Sequence, residues 1–93
     1  MKFVVKGKVW RWPSGNWHFI YIDKNISEKI KRNGGKRVGF GFVPVQAKLG
    51  KSQWRTTLFP TKEGPYLLSV NVKVRKTESV SDGDAVRITC ELL

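Results

Sequence analysis

Cysteine, histidine and methionine are nearly missing from this 93-residue chain, with one of each, and carboxylates are few, seven Asp plus Glu. A lone Cys90 excludes an internal disulfide and a thiolate metal cluster. Val86 and Ile88 precede it in alternation, so it reads as a small core hydrophobe in a chain suited to a reducing cytoplasm. The single histidine, His18, lies inside an aromatic stretch and reads as a packing residue. The carboxylates Asp23, Glu28, Glu63, Glu78, Asp82, Asp84 and Glu91 are scattered; Asp82 and Asp84 flank Gly83 in a turn, where acids serve local backbone bonds. No Ser-His-Asp set, phosphate loop or HExxH pattern is present. The expectation is a non-enzyme with no cofactor and no metal. Long apolar runs are lacking as well. Lys2, Lys6 and Lys8 interrupt the stretch a signal peptide would need, and no run reaches the length of a membrane span, so a soluble protein is expected.

What the chain does have is positive charge: 18 Lys plus Arg, a formal net charge of +11 and a pI near 10.2. Such an excess attracts polyanions and releases their counterions. Scattered over a small surface it could equally serve only solubility, and charge alone leaves both readings open. At 40 % hydrophobic and 12 % aromatic residues the composition is that of one folded domain, residues 1–93.

Along the chain, "KFVVKGKVWRW" alternates as a first strand with Phe3, Val5 and Val9 inward. "PSGN" is a turn in which Gly15-Asn16 would tolerate positive φ, and "WHFIYI" (17–22) closes a hairpin. "NISEKIKRNGG" then changes period: Ile26 and Ile30 are four apart, Asn25 is placed as N-cap, Glu28 completes a capping box and Asn33-Gly34-Gly35 ends a short helix near 25–33. "KRVGFGFV", "VQAKL", "QWRTTLF", "YLLSV" and "AVRITCEL" read as strands, separated by the Gly50-Lys51-Ser52 turn, the "PTKEGP" loop and "SDGD". "VNVKVRK" alternates like a strand, but "NISEKIKR" and "SVNVKVRK" echo each other at an offset of 44, with Asn25 matching Ser69, Ile30 matching Val74 and Gly39 falling opposite Gly83. On that echo 70–77 is read as a second short helix, in a barrel of two similar halves.

"VGFGFVPV" (38–45) nearly reproduces the octapeptide by which RNA-recognition domains stack bases. That fold needs a helix after the octapeptide strand, whereas 45–59 continues as strands and tight turns. The glycines then read as places where a strand coils, with Phe40 and Phe42 sharing one face of a core. Trp10 and Trp12 share a face and could stack bases beside Lys8 and Arg11. The favoured reading has Trp10, Trp12 and Trp17 covering the barrel and capping its end, with Trp54 buried.

The pieces "GNWHFIYI", "GKRVGFGFVPVQAKL", "WRTTLFP", "YLLSV", "VRK" and "GDAVRITCEL" together resemble a family catalogued as domain of unknown function 1905. The resemblance implies a mainly β fold, a closed six-stranded Greek-key barrel with one or two short helices, and no activity. Thr56-Thr57 stands where the family commonly has Thr-Ser, and Ser69 where it has proline. More weakly, "VRKTESVSDGDAVRI" is similar to the swapped-hairpin (AbrB-like) regulators, which pair two half-barrels and bind DNA through basic residues. Here Arg75-Lys76 match the basic pair, while Ser79 and Glu78 replace a glycine and a leucine.

The reading reached is a non-catalytic, monomeric, cytoplasmic binding module for a polyanion such as nucleic acid. Lys29, Lys31, Arg32, Lys36, Arg37, Lys73, Arg75 and Lys76 would contact phosphates from one basic surface. Reversing Arg32 and Arg75 should then weaken binding without changing stability. The rival is a protein-interaction or small-ligand barrel whose charge only solubilises.

Overall fold

The computed structural model describes residues 1–33 and 41–93, so Lys36, Arg37, Gly39, Phe40 and the Gly34-Gly35 cap lie outside the described residues. Strands β1 (Lys2–Lys8), β2 (Trp10–Arg11) and β3 (His18–Tyr21) lead into helix α1 (Lys24–Asn33). Strands β4 (Val43–Leu49), β5 (Ser52–Leu58) and β6 (Leu67–Ser69), helix α2 (Val72–Thr77) and β7 (Ala85–Leu92) complete the order. The protein is mainly β. Among the described residues two short helices accompany seven strands in two antiparallel sheets, β1-β7-β4-β5 and β2-β3-β6. The division falls at Val9. Its N–H donates to the Asp84 carbonyl (2.9 Å) and its carbonyl accepts from Gly83 (2.7 Å), so the chain bends there before pairing with β3. The sheets meet again where Phe59 and Leu67 exchange backbone hydrogen bonds of 2.9 and 2.8 Å.

Alternation explains the core. Phe3, Val5 and Val9 point inward as the sequence implies, joined by Val43, Val45, Ala47, Trp54, Leu58, Ile88 and Cys90 from the larger sheet. Ile20 and Leu68 face each other across β3–β6 and are fully buried. Trp54 is buried, and its Nε1–H donates to the Ser69 carbonyl (3.3 Å). Residues 72–77 are helical despite their valines, because Val74 is the one that reaches the core and the Asn71 side chain accepts from the Val74 N–H (2.9 Å). Among the described residues no helix is long and apolar enough to cross a membrane.

Two local expectations are corrected. The N-cap of α1 is Asp23, whose Oδ1 accepts from Asn25 N–H (2.7 Å) and Ile26 N–H (3.4 Å), not Asn25. The first turn forms as expected without a positive φ at Gly15 or Asn16, and the Trp12 N–H donates to the Trp17 carbonyl (2.8 Å) to close the hairpin. The internal correspondence runs at 48 rather than 44. Positions 18 and 66, 22 and 70, 23 and 71, and 27 and 75 play paired roles 48 apart: Ile22 N–H donates to Tyr66 O, Val70 N–H to His18 O, Asp23 and Asn71 cap helices, and Ser27 Oγ and Arg75 Nε donate to the carbonyls of Ile22 and Val70. The slip of four is about one helical turn, which lays apolar positions spaced by four onto themselves. Gly41 (φ +86°) and Gly83 (φ +90°) each stand two residues ahead of a strand in a conformation that favours glycine.

Cys90 is 1 % exposed, and desolvation pushes its thiol up from 9.0 to about 12. The unfolded thiol ionises first, so Cys90 favours the native state fully below about pH 9, and this contribution falls as pH rises towards about 12. Between about pH 8 and about pH 10.5 the urea midpoint should therefore fall further for the native chain than for Cys90→Ala. Equal falls would place the thiol in contact with water.

Candidate functional site

The basic residues expected to form one surface fall, among the described residues, on both helices. Lys29, Lys31 and Arg32 are exposed on α1, and Lys73 and Lys76 on α2. Helix α1 follows the end of β3 that bonds Tyr66, whereas α2 follows the end of β6 that bonds His18. Since β3 and β6 run antiparallel, the helices leave opposite ends of the pair, about 13 Å apart at about 3.3 Å per residue. Lys31 Nζ lies 5.8 Å from the Tyr66 ring centroid. Arg75 is half-buried and its Nε donates to the Val70 carbonyl (3.1 Å). Reversal of Arg75 to glutamate would orphan that carbonyl, so it is not the neutral change the sequence implies.

A larger basic surface lies elsewhere. On β1, β7, β4 and β5 the residues alternating with the core point outward and are exposed: Lys2, Lys6, Lys8, Arg87, Lys48 and Arg55, with Glu91 as the acid. Lys2 stands opposite Glu91, as charge pairing favours. Lys6 stands directly opposite Arg87. Like charges across neighbouring strands are destabilising, on the scale of about 0.2–1 kcal/mol for such pairs. Sequence reasoning missed this face because it depends on β1 pairing with β7, a contact no local pattern announces.

The outer face of β2-β3-β6 has the opposite character. Trp12 is 44 % exposed, Trp17 61 % and Tyr21 is exposed, while Trp10 is half-buried, so of the three indoles expected to cover the fold two present much of their surface outward. Trp17 stacks on Phe19 (6.2 Å, 6°) and Trp10 on Tyr21 (5.2 Å, 20°), while Phe59 meets Phe19 and Phe42 edge to face. Phe42 is half-buried in this outer layer and not in the core. Trp10 Nε1 is buried without a hydrogen-bond partner. A shallow groove of about 400 Å³ runs between Trp12, Trp17, Phe19, Phe59 and Leu67.

Trp17 also walls a second, more polar cleft of about 690 Å³, where Arg11, His18, Asn71, Arg75 and Asp82 converge at the start of α2. His18 Nδ1 lies 3.2 Å from the Asn16 carbonyl, so the ring is held against its own hairpin. Two guanidinium-bearing side chains and one carboxylate line this space, which favours an anion over a cation. Asp84 bonds the Ser81 N–H (2.8 Å), a local turn role as its sequence position implies, and Ser52 Oγ donates to Glu78 (2.8 Å). Among the described residues no group of three or more His, Cys, Asp and Glu could hold a metal ion.

Residues 6–90 match the model of a family described as a domain of unknown function (DUF1905). No curated protein matches the chain.

Proposed function

We propose that this chain, which belongs to the DUF1905 family of domains of unknown function, is a non-catalytic module that binds a polyanion such as nucleic acid. The observation that carries the reading is the exposed face on which Lys6 opposes Arg87, flanked by Lys2, Lys8, Lys48 and Arg55. A sheet that tolerates like charges in direct opposition breaks a local rule of stability, and such breaks concentrate where function needs them. Phosphates laid across the face would offset the repulsion and release counterions. We read the architecture as a closed barrel of two similar halves, with β1 and β2 as one bent strand; the Phe59–Leu67 bridge and the recurrence at 48 support this.

The test is binding of a fluorescent oligonucleotide at low salt, followed by anisotropy, for the native chain and for Lys6→Glu with Arg87→Glu. The expected result is saturable binding that the double reversal weakens, with thermal stability kept or raised. Absence of binding, or binding the reversal leaves intact, would overturn the reading and favour a protein-interaction or small-ligand domain.

A further inference from the structure

We infer that the aromatic groove on the three-stranded sheet is a stacking surface for unpaired bases, so that the polyanion is single-stranded nucleic acid; this rests on the polyanion reading above. The first strand supplies the link. Phe3, Val5 and Val9 point into the core, and Gly7 faces Ile20, so the even positions point out along the whole run. That outward line reads Lys6, Lys8, Trp10, Trp12: two cations followed by two indoles. The basic face of one sheet therefore passes directly into the aromatic face of the other. A strand of nucleic acid needs this juxtaposition, cations along its backbone and ring faces beside them for its bases.

The groove's shape suits a planar guest. Phe19 and Leu67 form a floor, each 8 % exposed, and the more exposed Trp12 and Trp17 stand along its side. Trp17 lies parallel to Phe19, which leaves its outer face open. The same indole borders the cleft holding Arg11 and Arg75, so a base stacked on Trp17 would carry its phosphate towards two guanidinium groups. Charge selects among occupants. A second copy of this chain would bring another +11 against the first. A bilayer surface is flat and would meet the rims of a concave groove and not its floor.

The experiment compares three labelled oligonucleotides of equal length and charge per strand: single-stranded, abasic single-stranded, and the same sequence as a duplex, each titrated at low salt. The native chain should bind the base-bearing single strand about 5- to 150-fold more tightly than the abasic strand, the fold-change for about one stacked base. Its tryptophan fluorescence should be quenched by the base-bearing strand and not by the abasic one. Trp17→Ala with Trp12→Ala should erase that preference while leaving abasic binding in place. Equal affinity for the base-bearing and abasic strands would sink this inference and leave the polyanion reading standing. Failure of all three to bind would remove both. Binding confined to anionic phosphatidylserine vesicles, lost in the double tryptophan variant, would assign the face to a membrane surface and overturn the inference.

Discussion

Leu68→Ala is expected to lower the free energy of unfolding by about 2–5 kcal/mol, the cost of a truncated core leucine plus the cavity it leaves. In a domain of 93 residues a loss of about 3 kcal/mol moves the thermal midpoint by about 12–24 °C. The site is chosen for its place in the fold. Leu68 faces Ile20 at the middle of the β3–β6 pair, both at 0 % exposure. To either side, the Ile22–Tyr66 and Val70–His18 backbone bonds deliver the chain into the two helices. A void at the centre loosens both exits together. Val72→Ala, on the exposed face of α2, is the comparison, with an expected change within about 0.5 kcal/mol. Urea denaturation of the two variants decides the matter. A Leu68→Ala penalty no larger than that of Val72→Ala would mean that the β3–β6 pair does not anchor the two helices.

The salt dependence of oligonucleotide binding should report which surface holds the backbone. For a single strand each neutralised phosphate contributes about 0.7 to the logarithmic slope. If Lys2, Lys6, Lys8, Lys48, Arg55 and Arg87 all engage, the slope is about −4.2, and raising salt fourfold weakens binding about 300-fold. If only Lys29, Lys31 and Arg32 at one helix engage, the slope is about −2.1 and the same change costs about 20-fold. Lys6→Glu with Arg87→Glu should flatten the slope by about 1.4, whereas reversals on α1 should change it little. Measured affinity over a salt series separates the two. A slope that follows the α1 reversals and ignores those on β1 and β7 would return the binding surface to the helices.

Local alternation made a good part of the fold legible. Phe3, Val5, Val9, Ile88 and Cys90 are inward as their spacing implies, and Trp54 is buried. The second helix was legible only through the internal echo, since Val70, Val72 and Val74 taken alone alternate like a strand. The cap of the first helix is misplaced by two residues because Asn25 offers the same kind of side-chain acceptor as the true cap, Asp23. The candidate site was less legible for a physical reason. Parity puts Trp10 and Trp12 on one face, but whether that face is covered depends on where the helices pack, which is a tertiary matter. The basic face depends on Lys6 meeting Arg87, residues at the two ends of the chain.

That pairing also bears on how the chain comes into being. Among the described residues, residues 2–8 take their strand partners from residues 85–91, so the larger sheet cannot close until β7 has left the ribosome. At about 5–20 residues per second, β1 waits roughly 5–18 s with Phe3 and Val5 unsheltered. Lys2, Lys6 and Lys8 punctuate that waiting strand every few residues, and such gatekeeper charges keep an unpaired hydrophobic strand from finding another nascent chain first. Neutralising them would be felt during synthesis, as aggregation of newly made protein, before it was felt in the folded molecule.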